Sequence, residues 1–236
     1  MSTKNSVLIS IGFIIGLSIM ALILSKGFIS YKELDRTVTV KGLAQEEVKA
    51  DLVIWPIKFI KASNDNTELY KELEDDTKKI LEFLKGIGFN DSELTVLAPS
   101  VNDKFAQSYG GSDRIKFRYS GFNKVVVYSN NIDLARDAMK KLSKLGKEGI
   151  TFLQDDYDTR VEYMFTKLNE IKPKMVEKAT QSARDTALKF AQDSSSNLGK
   201  IKKASQGQFS ISSRDKNTEH IKRIRVVSTV EYYLVD

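Results

Sequence analysis

The sequence predicts an α+β protein: an N-terminal transmembrane helix, then a mainly antiparallel sheet domain in the order β-β-α-β-β-α-β-α-β-β with helices packed on one face. Three observations predict this class. Residues 5–25 carry no charge and are almost continuously apolar. Several later segments alternate apolar and polar residues with the period of two that marks a strand lying on a core. Others repeat apolar residues at three and four, the spacing that gives a helix one buried stripe.

The first element is the run VLISIGFIIGLSIMALIL, bracketed by Lys4 and Lys26. At about 1.5 Å per residue, roughly twenty residues cross the ~30 Å hydrocarbon core. An uncleaved anchor over residues 1–27 is the expectation. A cleaved signal peptide is the competing reading, but the apolar region is long for one and no A-x-A-like site follows it. Lys26, Lys32 and Arg36 on one side, against Lys4 and the terminal amine on the other, leave the positive-inside count nearly balanced. A short tail ahead of a large domain favours export of that domain. Gly12 and Gly16 offer a small-residue face for contact between copies, although glycine is common in membrane helices generally.

Residues 28–35 read as a linker, and residues 36–236 as the folded domain. It opens with TVTVKG, where Gly42 supplies turn freedom, and LAQEEVKA leads to DLVIWPIKFI. In that strand Val53, Trp55, Ile57 and Phe59 share a core face, while Leu52, Ile54 and Ile60 make the opposite face apolar too. Proline cannot donate a ladder hydrogen bond, so Pro56 places this strand at an edge or bulge. Leu52, Ile54 and the Pro56 break are therefore expected to contact another subunit.

The segment after Asn64 is a helix: Asn64 to Thr67 offer N-caps, Leu69, Leu73, Ile80 and Leu84 trace its buried stripe, and Gly86 and Gly88 end it. LTVLAPSVNDKFAQSY and RIKFRYSGFNKVVVYS follow as strands, joined by a hairpin at Gly110-Gly111-Ser112-Asp113. A second helix turns Leu134, Ala138, Leu142 and Leu145 inward, and ITFLQDDYDTRVEYMF reads as one strand with an uncertain acidic middle. The longest helix is predicted from about Leu168 to Leu198, with Pro173 at its start or at a kink. Ala179, Ala183, Ala187 and Ala191 recur every four residues along it, a stripe over which a neighbouring element can approach closely. Two strands end the chain, the last with Ile224, Val226, Val230, Tyr232 and Leu234 on one face.

The net charge of +6 over 236 residues is spread among interleaved acids, without the basic stripe that phosphate tracking needs. Nucleic acid is not an expected partner. With no cysteine and only His220, thiolate chemistry and multi-histidine metal sites are excluded within one chain. Glu46, Glu47 and Asp51, flanked by Lys41 and Lys49, read as a solvated connection rather than an acid–base group. Asp155, Asp156 and Asp158 lack the glycine and terminal glutamate of a calcium loop. His220 has no serine in a nucleophile elbow to serve, and Ser194, Ser195 and Ser196 read as a helix end. Trp55, Tyr109, Tyr119, Phe122 and Tyr128 read as core, with an aromatic-lined ligand cleft beside the long helix as the alternative. No catalytic residue, metal ligand or cofactor is assigned.

VTVKGLAQEEVKADLVIWPI, SVNDKFAQSYGG and KFAQDSSSNLGKIKKASQGQFSI followed by IKRIRVVSTVEYYL together resemble the SIMPL-domain family. The resemblance runs from Arg36 to Asp236 and rests on an overall pattern: a V-x-G strand end, a later A-D before a strand, and a late helix leading to LG-x-I. It implies an exported bacterial α+β protein that forms ring-like or hollow homo-oligomers, with links to envelope integrity and oxidative stress. No active-site residue transfers from it. The expectation is a non-enzymatic protein of the cell envelope. It would cross the cytoplasmic membrane once, hold its domain outside the cytosol and assemble with copies of itself. A ligand-binding module is the alternative, with a carboxylate–metal hydrolase behind it.

Overall fold

The structure, a computed structural model, describes residues 3–34, 36–107, 116–153 and 157–235, with the side chains of 3–10, 28–34 and 157 outside that description. In chain order the helices and strands are α1 (Thr3–Leu34), β1 (Thr37–Lys49), β2 (Leu52–Ser63), α2 (Asn66–Ile87), β3 (Leu94–Val96) and β4 (Ser100–Asp103). Then come α3 (Lys104–Gln107), β5 (Tyr119–Ser129), α4 (Ile132–Lys141), α5 (Ser143–Lys147), β6 (Thr151–Leu153) and β7 (Glu162–Met164). The last are α6 (Leu168–Asp193), β8 (Asn197–Gln206), β9 (Ser210–Ser213) and β10 (Ile221–Val235). The α+β class and the antiparallel pairing hold. The Gly110–Asp113 hairpin, Tyr109, Asp155 and Asp156 lie outside the described residues.

The chain gathers into two compact units. One comprises Met1–Glu46, Asn169–Ser210 and Ile224–Asp236; the other comprises Glu47–Leu168 and Ile211–Arg223. Residues 28–34, expected as linker, are helical and extend α1 to Leu34. Among the described residues no helix is long and apolar enough to cross a membrane. The described side chains of α1 cover 11–27, all of them exposed.

In the first unit α6 lies against a sheet in which β10 runs between β1 and β8. Period-two alternation on β10 turns Ile224, Val226, Val230 and Tyr232 inward, each at most 3% exposed. Opposite them Met175, Ala179, Ala183, Ala187 and Ala191 form the buried side of α6. Gly42 on β1 completes the fit. A Cβ added there would collide with the backbone of Ala179 and Ala183 and stand 2.8 Å from the Ala183 Cβ. The V-x-G of β1 and the alanine stripe are thus two halves of one close approach. α6 ends at Asp193, earlier than predicted, because Ser195 takes a left-handed φ of 54° and the Ser196 N–H closes on the Ala191 carbonyl at 2.8 Å.

The second unit is built on a six-stranded sheet in the order β3-β5-β2-β6, with β4 also on β5 and β7 also on β2. Val53, Trp55, Ile57 and Phe59 face α2 and α4 with Leu69, Leu73, Ile80, Leu84 and Ala138 in one core. Asp65 caps α2 by accepting the Thr67 and Glu68 N–H groups at 2.7 and 3.1 Å, and Gly88 ends it at φ 123°.

β2 is not an edge. It pairs with β5 from Val53 to Ser63, and its other side carries two short strands. β7 covers Leu52–Ile54 and β6 covers Lys58–Ile60. The segment predicted as one strand, ITFLQDDYDTRVEYMF, is divided into these two, and Trp55, Pro56 and Ile57 fall in the gap between them. Among the described residues no strand pairs with Pro56 on that side, where a ladder would need the N–H that proline lacks. Leu52 is buried within its own chain at 5% exposure, while Ile54 and Pro56 are half-buried.

Candidate functional site

The break in the β2 ladder opens a cavity of about 330 Å³. Trp55, Pro56, Ile57 and Lys58 form one wall at the gap, and Met139 and Leu142 close the helix side. Phe152 and Leu153 come from β6, and Thr159, Arg160 and Val161 lead into β7. The cavity follows directly from the local sequence. Among the described residues Pro56 pairs with Val126 of β5 and with no residue of β6 or β7, and large apolar side chains line the cavity beside it. Of the aromatic residues singled out from sequence, Trp55 lines it and, among the described residues, Tyr119, Phe122 and Tyr128 do not; Phe122 lies under the Lys58 ammonium, 4.4 Å from ring centre to Nζ. Beside the long helix, where the alternative reading put a cleft, a separate hollow is lined by Arg184 and Leu188 of α6 with Leu198, Ile201 and Tyr232 of its sheet.

The charged side chains in the described lining of the cavity are Lys58 and Arg160. Lys58 is 7% exposed, and Arg160 donates to the Glu219 carboxylate at 2.8 Å. Asp158, counted with the acidic cluster in the sequence, stands 3.5 Å from Lys124 in an ion pair. Among the described residues no group of three or more His, Asp and Glu side chains is placed to hold a metal.

The other carboxylates separate in space. Glu46 accepts from Lys178 at 3.0 Å and from Lys174 at 3.4 Å, and the Lys178 hydrogen bond holds its carboxyl below the usual range. Glu47 pairs with Arg223 at 3.3 Å and Arg214 at 3.7 Å. Asp51 accepts the backbone N–H groups of Thr166 at 2.8 Å and Lys167 at 3.2 Å, fixing the turn into α6. Each has its own structural partners, so the three do not form one acid–base group.

His220 packs its ring edge-on to Tyr163, with centroids 6.0 Å apart. Burial lowers its pKa first, and the Arg136, Lys49 and Arg214 charges lower it further. Beside it Lys222 donates to the Ser213 hydroxyl at 2.9 Å, and burial depresses the ammonium pKa. Asp76 of α2 is 3% exposed and pairs with Lys61 of β2 at 3.0 Å. Its spacing of three from Leu73 places it beside the buried stripe, a signal available in the sequence. The cavity walls from Met139, Leu142, Phe152 and Val161 had no such signal, since they meet only through the division of β6 from β7.

A family model described as SIMPL, protein of unknown function (DUF541), matches residues 38–229. No curated protein matches the chain.

Proposed function

The chain belongs to the SIMPL family, and from that premise we propose that it is a non-enzymatic envelope protein, tethered by α1 and acting by assembly with copies of itself. The tether would be a single pass through the cytoplasmic membrane, with both folded units outside the cytosol. One observation carries the reading: the uncharged run of residues 7–24 lies wholly within α1. In its described part Phe13 is 70% exposed and Leu22 63% exposed, so these side chains have no apolar surroundings within the chain. A row of large apolar side chains left open to water is costly, and lipid removes that cost. A Cβ added at Gly12 or Gly16 would meet nothing within 4 Å, which leaves this small-residue face open to the helix of another copy. With Leu52 buried in its own chain, Gly12 and Gly16 and the half-buried Ile54 and Pro56 are the contact residues the reading retains.

Fractionation and mass measurement of the full chain test it together. The expected result is a chain that stays in the membrane pellet through alkaline carbonate and leaves detergent as a particle several times its 26.6 kDa mass. A strict monomer at near-native concentration would sink the assembly, and a shortened chain released into the soluble fraction would sink the tether.

A further inference from the structure

β8 is the last strand of its sheet, paired with β10 on one side and, among the described residues, with no strand on the other. From Lys200 to Gln206 every residue of it is exposed, so this stretch stands open to solvent. Between β8 and α6 lies a hollow of about 650 Å³, inside the ~300–1,000 Å³ range of binding sites. Its apolar lining is Leu188, Leu198, Ile201 and Tyr232, and Leu188 and Ile201, 39% and 50% exposed, open it to solvent. Tyr232 is 3% exposed, and its hydroxyl is buried without a hydrogen-bond partner among the described residues. Buried hydroxyls are ordinarily hydrogen-bonded, which marks this one as available to a group that enters the hollow. The charged side chains of the described lining are Glu177 and Arg184 from α6 and Lys200 from β8, and none of the three makes an ion pair among the described residues. Further along β8, Lys203 is exposed and likewise makes none, whereas Lys202 stands 3.7 Å from Glu231.

We propose that this slot takes an extended acidic peptide of a separate partner protein, which adds as a strand to the free edge of β8. A groove between a helix and an edge strand suits this mode, in which main-chain bonds supply affinity and a pocket for alternate side chains supplies specificity. An apolar side chain of the peptide enters the hollow against Ile201 and Tyr232, and its carboxylates meet Arg184, Lys200 and Lys203. Charge chooses the occupant. Lysines on an edge oppose pairing with a like strand, and two β8 strands side by side would crowd the lysines of both copies together. A strand that carries carboxylates meets the same lysines favourably. The site lies wholly within the first unit and stands whether or not the tether and the assembly do.

The probe is the fluorescein-labelled peptide EIDVELD, whose anisotropy is followed as the full chain in detergent is added. Two relatives of the probe are titrated beside it. One is the basic peptide KIKVKLK. The other is EIDVELD with N-methyl groups on its valine and on the glutamate after it, so that one of the two lost N–H groups faces β8 in either register. The expected result is saturable binding of EIDVELD, with the N-methylated form about tenfold weaker for want of a ladder hydrogen bond. The double variant Lys200→Glu, Lys203→Glu changes exposed side chains only. It is expected to weaken EIDVELD about tenfold, as the loss of charge-assisted contacts does, and to gain binding of KIKVKLK. No saturable binding of EIDVELD, or binding unchanged in the double variant, would overturn the site. Equal affinity for the N-methylated form would overturn strand addition. A fall in the mass of the detergent particle as EIDVELD is added would give the slot to a second copy, overturning the separate partner while leaving the assembly in place.

Discussion

The two units solve the same problem, a helix on a sheet, with opposite side chains. The first brings α6 onto its sheet through alanines and Gly42, so backbone approaches backbone. The second separates α2 from its sheet by large side chains, among them Phe59, Leu69, Leu73 and Ile80, each at most 1% exposed. A small-residue interface gains from closeness and has no slack. A large-residue interface fills a thicker layer and has more ways to fail to fill it, and its sheet contains both the ladder gap and the cavity. Tolerance to substitution is therefore expected to differ sharply between the two.

The largest effect is expected at Gly42. A valine there would drive a branched side chain into the backbone of α6, and backbone atoms cannot rotate away as a side chain can. The loss is expected to exceed the ~1–3 kcal/mol usual for overpacking, measured as the urea unfolding free energy of the full chain. Gly42→Ala already places a Cβ below contact distance of Ala179 and Ala183, and is expected to share most of that loss. A loss under about 1 kcal/mol for the valine variant would mean that α6 moves off freely, and the contrast between the units would fail.

Next in size is a pair of leucines within the second unit. Leu73 is 1% exposed in the middle of the core, whereas Leu142 is 8% exposed and borders the cavity. Leu73→Ala is expected to cost about 2–5 kcal/mol, because the void it leaves is enclosed. Leu142→Ala removes the same atoms beside space that is already open, so its cost is expected near or below the bottom of that ~2–5 kcal/mol range. Equal losses would show that the cavity is closed in solution.

How far these features could be read in advance depended on the range over which they act. The alanine stripe, the V-x-G of β1, the caps of α2 and the core face Val53, Trp55, Ile57 and Phe59 are set by neighbours within a few turns or one strand. All of them appear as the periodicity predicts. Long-range pairing was not readable. The strand of Pro56 resembles an edge because proline is normally confined there. Nothing local reveals that, among the described residues, the pairing on that side of β2 is divided between β6 and β7. The acidic middle of ITFLQDDYDTRVEYMF held the only hint, since a strand interrupted by charge is easily divided. The two-unit arrangement was equally hidden, because each unit gathers pieces from distant parts of the chain.

The smallest effect is expected at Pro56 itself, and it is the sharpest check on that account. If the gap between β6 and β7 is what admits proline, then Pro56→Val returns an N–H to a position where no described strand accepts from it. The valine suits a strand backbone, so the change in unfolding free energy is expected to stay within about 1 kcal/mol. Its cross-strand neighbour Val126 gives the contrast. Val126 pairs with Pro56 on one side and with Thr95 of β3 on the other, so its N–H faces a ladder whichever way it points. Val126→Pro therefore removes a hydrogen bond inside the sheet and is expected to cost about 3 kcal/mol or more. Two prolines at one register, one harmless and one disruptive, would place the break in β2 on the side of β6 and β7. Similar losses for both variants would mean that Pro56 is held by contacts of its own, and the cavity would then need another origin.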